Sequence, residues 1–144
     1  EPIALGFGNA LFNMNRDLWN ELTPEDKRNF LHAAALGHAT ATVSYLTEEQ
    51  AILDNLEAVG VELVESTDDL KARSEQFRID DIAAVVEIHK GFGVADVDKH
   101  VADFLAAVKK WEGLVSGIDR TDREAVGKLY YDEIYGKLDL SVFD

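Results

Sequence analysis

The sequence predicts a mainly helical fold with two short β-strands, and three observations predict it. The run Ala10-Leu11-Phe12-Asn13-Met14-Asn15 alternates, with Phe12 and Met14 on one face and Leu11, Asn13 and Asn15 on the other, which is the period of a strand. A very long helical pattern then starts at Thr23-Pro24-Glu25-Asp26 and stops at Gly60, after which Val61-Glu62-Leu63-Val64 reads as a second short strand. Everything downstream of Val64 carries helical spacing or turn residues.

Each element has its own warrant. A turn carrying Trp19 and Leu22 follows the first strand. Thr23 is placed to cap the long helix, with Pro at the first helical position and Glu25 and Asp26 against the positive end of the dipole. Its apolar positions run through Phe30, Leu31, Ala34, Ala41, Tyr45, Ile52, Leu53 and Leu56. From Pro24 to Val59 such a helix would extend about 50 Å. Thr47-Glu48-Glu49-Gln50 offers a fresh capping box midway, but one continuous or kinked helix is the expectation. Ser66 or Thr67 can cap a short helix from Asp68 through Phe77, and a second segment runs from Asp80 to His89 before Gly91-Phe92-Gly93 breaks it. The clearest amphipathic pattern follows: Val97, Val101, Phe104, Leu105, Val108, Trp111, Leu114 and Val115 recur at three- and four-residue spacings, ending at Gly117. Thr121-Asp122-Arg123-Glu124 reads as a capping box for a last helix through Leu138.

The bulk properties narrow the function classes. The 144 residues, 47% hydrophobic, suffice for one domain with a core, and no internal repeat or low-complexity linker divides them, so residues 1–144 read as a single unit. With no cysteine, disulfides and thiolate metal sites are excluded. A formal charge of -14 repels a phosphate backbone, and no Lys/Arg cluster offsets it, which argues against nucleic acid. No stretch approaches the roughly 20 apolar residues that a membrane span needs. Glu1-Pro2 is not followed by the basic region and long apolar core of a signal peptide, which counts neither for nor against export.

The order of these features resembles the C-terminal part of the substrate-binding proteins of TRAP transporters, the DctP-like periplasmic receptors that capture organic acids for a sodium-coupled carrier. The residues that carry the resemblance are the strand Leu11 to Met14, Asn15, Trp19, the helix start Leu22-Thr23-Pro24-Glu25-Asp26, and the helix end Leu56-Glu57-Ala58-Val59-Gly60-Val61-Glu62-Leu63. Asp68-Asp69-Leu70 followed by Phe77 is similar to the family's next helix start. The match covers about residues 5 to 90. Lys27-Arg28 stands where the family usually has Gln, on a solvated face. The resemblance implies that the chain is the C-terminal part of a longer, α/β, two-lobed receptor of the periplasmic-binding-protein kind. It also implies a periplasmic location, a small carboxylate as ligand, the carrier's membrane subunits as partners, no cofactor and no catalysis. By the same resemblance Asn9, Ala10 and Phe12 lie at the ligand cleft, with Asn9 either donating to a carboxylate or serving only as a turn residue. Phe12 and Trp19 either line that cleft or belong to the core. The arginine that would pair with the ligand's carboxylate is expected upstream of Glu1.

Read from the residues alone, other chemistry finds little footing. His32 and His38 are six apart on a helix, and His89 and His100 stand in separate segments, so no metal site is expected. Asp96-Val97-Asp98-Lys99-His100 lacks the glycine and terminal glutamate of a calcium loop and reads as an acidic helix start. Gly6-Phe7-Gly8 precedes a strand instead of following one, which is the wrong order for a phosphate cradle. No cysteine or Gly-x-Ser-x-Gly elbow offers a nucleophile. The rival expectation is a self-contained helical interaction module. It would be a homo-oligomer, since unpaired strand edges and the apolar face of the long helix need cover, and its acidic surface would suit a basic partner.

Overall fold

The computed structural model describes residues 12–143, with side chains through Ser141. Five α-helices follow one another: α1 (Arg16–Glu21), α2 (Pro24–Leu53), α3 (Asp68–Gly91), α4 (Val97–Val115) and α5 (Arg123–Glu133), with 3-10 turns at Tyr135–Lys137 and Leu140–Phe143. The chain divides into two compact units, one holding residues 62–116 and the other residues 12–61 together with 117–143.

The second of these units is organised by α2 and α5. Thr23 caps α2 as its sequence predicts: its Oγ1 accepts from the Asp26 N–H at 3.1 Å, and the hydroxyl donates to the Asp26 carboxylate at 2.6 Å. Asn15 caps α1 in the same way, accepting from the Asp17 and Leu18 N–H groups at 2.8 and 3.2 Å. The N-terminal half of α2 turns Leu31, Ala34, Ala35 and Ala39 inward, and α5 answers with Val126 and Gly127. These small residues let the two helices approach closely. A Cβ on Gly127 would sit 3.6 Å from that of Ala39 and 2.7 Å from Leu36 Cδ2. At the start of α2, Arg28 donates to the Gly136 carbonyl at 3.2 Å, tying the helix to the first 3-10 turn. Trp19 of α1 is buried edge-on to Phe30, with the Lys27 ammonium 5.4 Å from its ring centroid.

The unit of residues 62–116 is an αα-hairpin. Thr67 caps α3 by accepting from the Leu70 N–H at 3.2 Å. Gly93 takes φ +78 and Asp96 φ 54 in the connection, and Lys90 bridges it to Asp98 at 3.0 Å. Hydrogen bonds to Asp98 and then Glu87 hold the Lys90 ammonium above its usual range. Val97 is the only buried residue of α3 and α4.

Several sequence expectations are corrected. The expected fold class, mainly α with two strands in an α/β arrangement, gives way to an all-helical chain, because no strand forms among the described residues. Residues 10 and 11 of the first expected strand lie outside the described part; Phe12 to Met14 are irregular, and Asn15 is a helix cap. Val61-Glu62-Leu63-Val64 follows Gly60 (φ +68) without regular structure, its Val61 N–H donating to the Leu56 carbonyl at 3.0 Å in a turn and not to a strand, and all four residues are exposed. An isolated strand leaves its ladder of N–H and C=O groups to water, so it gains nothing from strand geometry. The long helix stops at Leu53, earlier than expected, because residues 54–60 form a succession of turns. It does not break at Thr47, whose hydroxyl donates back to the Val43 carbonyl at 2.8 Å instead of capping. The two expected segments after Thr67 are one helix. The last helix is capped by Asp122, which accepts from the Glu124 and Ala125 N–H groups, whereas Thr121 turns its hydroxyl to Asp119 at 2.7 Å.

Candidate functional site

Of the three predicted cleft residues, Asn9 and Ala10 lie outside the described residues, and Phe12 can be placed. Phe12 is half exposed and meets the His38 ring edge-on, with centroids 4.7 Å apart. Its tip presses on the backbone of α2 at Gly37, where an added Cβ would lie 2.7 Å from Phe12 Cζ. Gly37 is thus a docking notch for one aromatic ring.

Around this contact the unit gathers polar groups from far apart in sequence. The Tyr135 hydroxyl hydrogen-bonds His38 Nδ1, and Thr42 Oγ1 pairs with the Tyr130 hydroxyl at 3.1 Å. His38 and Thr42 are one turn apart on α2, so both face the stretch carrying Tyr130 and Tyr135. Burial pushes the Tyr135 phenol up, and the charge of Tyr130 adds to this, so Tyr135 is a neutral hydrogen-bonding group over the ordinary pH range. His38 Nε2 is buried without a hydrogen-bond partner among the described residues. His32 meets Tyr131 edge-on at 4.9 Å and does not join His38. The cluster is therefore a polar seam that joins α2 to the stretch carrying Tyr130 and Tyr135.

A second feature is an open cleft of about 480 Å³ between the C-terminal half of α2 and the segment before α5, lined by Leu46, Thr47, Gln50, Ala51, Asp54, Asp119, Arg120 and Thr121. Its polar groups are mostly engaged with one another. Gln50 Nε2 donates to Asp54 at 2.7 Å, and Thr121 donates both its N–H and its hydroxyl to Asp119 at 2.8 and 2.7 Å. The side-chain and then the backbone hydrogen bond from Thr121 hold the Asp119 carboxyl below its usual range. Asp54 and Asp119 outnumber Arg120, so a carboxylate entering here meets net negative charge.

Among the described residues no group of three or more His, Asp or Glu side chains could hold a metal ion, and no helix is long and apolar enough to cross a membrane. Compared with known proteins, the chain matches no family model, no curated protein and no solved structure.

The pairing of His38 with Tyr135 was missed in the sequence because its partners stand 97 positions apart. The available signal was weak: His38 and Thr42 at one-turn spacing on α2, and three tyrosines, Tyr130, Tyr131 and Tyr135, near the chain's end.

Proposed function

We propose that this chain is the C-terminal portion of a TRAP-type solute receptor, which captures a small organic acid in the periplasm by closure of two lobes and delivers it to the carrier's membrane subunits. It is a binding protein and not an enzyme. The observation that carries the reading is α2. It starts at the Leu22-Thr23-Pro24-Glu25-Asp26 sequence on which the resemblance rests, and it continues unbroken for 30 residues, about 45 Å. Its N-terminal half packs on α5, but its C-terminal half carries Tyr45, Ile52 and Leu53 open, Tyr45 at 71% exposure. A helix that outruns its cover suits a frame shared with further parts of a larger receptor.

The test is to isolate the native protein from a periplasmic extract with an antibody against this chain. Its mass and its affinity for simple mono- and dicarboxylates are then measured. A larger protein binding a carboxylate with micromolar or tighter affinity is expected, while the 144 residues alone should bind weakly or not at all. A native product no larger than this chain, or micromolar binding by the chain alone, would overturn the reading. A second reading, a helical interaction module, is favoured by one separate observation: the apolar side chains of the α3–α4 hairpin are open to solvent.

A further inference from the structure

Helix α4 carries an uninterrupted apolar seam, Val97, Val101, Phe104, Val108, Trp111 and Val115, spaced four, three, four, three, four. That is the repeat of a helix buried along one edge by another helix. Only the first residue of the seam is buried, and its middle is open, with Phe104 at 67% exposure and Val108 at 40%. Leu105 beside them is 43% exposed. We propose that the seam is covered by α4 of a second copy of this chain, running antiparallel, so that two hairpins pair about a two-fold axis next to Leu105. This deepens the interaction-module reading and does not depend on the solute.

Three observations select a second copy. First, the open part of the seam complements itself when reversed: Phe104 falls opposite Val108 and Val101 opposite Trp111, so the largest side chains meet small ones, while Leu105 meets its own copy. This is the self-complementarity that a two-fold interface requires. Second, the start of α4 is net acidic, with the cap Asp96, Asp98 and Asp103 against Lys99, and its later half is net basic, with Lys109 and Lys110 against Glu112. Antiparallel pairing brings opposite halves and opposite dipole ends together, whereas parallel pairing would align like charges. Its one unfavourable pair, Asp98 near Glu112 of the second copy, is relieved by Lys90, which already holds Asp98 at 3.0 Å. Third, the open middle of the seam, Phe104 with Leu105 and Val108, holds on the order of 300 Å² of apolar surface, the apolar centre of a small interface with a polar rim.

The experiment uses the intact chain. Sedimentation equilibrium should give twice the chain mass, with association tightening as salt screens the charge of -14. Because the chain lacks cysteine, Leu105→Cys introduces a sole thiol, which should oxidise to a covalent dimer. Val101→Cys alone should not, but mixed with Trp111→Cys it should. Phe104→Asp should give a monomer of unchanged helicity. A wild-type chain that stays monomeric at its highest soluble concentration overturns the proposal and leaves the solute reading intact. Equal cross-linking of Leu105→Cys and Val101→Cys overturns the antiparallel register. If Phe104→Asp unfolds the hairpin, the cysteine pattern still decides.

Discussion

Ala39 is the most demanding position in the α2–α5 seam. It is 0% exposed, and a Cβ at Gly127 of α5 would stand only 3.6 Å from its own. Ala39→Leu adds three carbons where α5 already lies in contact, so the helices must separate or the new side chain must leave its preferred rotamers. Overpacking of this kind costs about 1–3 kcal/mol, and helix propensity hardly changes between Ala and Leu. For a unit of this size, about 1 kcal/mol moves the midpoint by roughly 4–8 °C, so the expected fall is on the order of 5–20 °C. The assay is thermal unfolding followed by fluorescence in a Trp111→Phe background, where Trp19 alone reports on this unit. Thr40→Leu, one residue along on the exposed side, serves as the control and should fall within about 0.5 kcal/mol of the parent. If Ala39→Leu melts with the parent, α2 and α5 are not close-packed here and the argument fails.

Gly127→Ala would gain about 1 kcal/mol of helix propensity in an isolated helix, but its Cβ meets Leu36 Cδ2 at 2.7 Å. No net stabilisation is expected in the parent, and a gain of about 1 kcal/mol is expected in a Leu36→Ala background, a coupling that a double-mutant cycle measures. Thr23→Ala removes the cap of α2 and should cost about 0.5–2 kcal/mol by denaturant unfolding. Asp119 has its carboxyl held below the ordinary value of 3.8 by Thr121, so its contribution is present above that value and lost as pH falls through the lower folded one. Asp119→Asn should therefore lower stability slightly at neutral pH, approach the parent at low pH, and so flatten the acid-unfolding profile below about pH 4.

What could be read from the sequence was what local chemistry decides. Thr23 with Pro24, Thr67 before Asp68-Asp69, and the glycines at 91 and 93 marked real helix ends, because a cap or a positive-φ turn is settled within a few residues. The α4 pattern was legible for the same reason. The strands were not, since alternation in Val61-Glu62-Leu63-Val64 states only which face each side chain would take and says nothing of whether a neighbouring strand exists to pair with. The cap of α5 went to Asp122 instead of Thr121 because Asp119 competes for the Thr121 hydroxyl, a contest that the capping-box pattern leaves out. The His38–Tyr135 and Thr42–Tyr130 pairs depend on α2 and α5 docking, which no local window contains.

The hairpin of residues 62–116 is inserted in the chain between the two helices that make the other unit's core. Every contact between α2 and α5 therefore closes a loop that includes the whole hairpin. The entropic cost of such closure grows with the length of flexible chain it encloses. A hairpin already folded leaves only short connectors to be immobilised, because its own contacts are local and form quickly. Where the hairpin forms before the seam, a substitution that loosens α3 against α4 would slow the docking of α2 on α5.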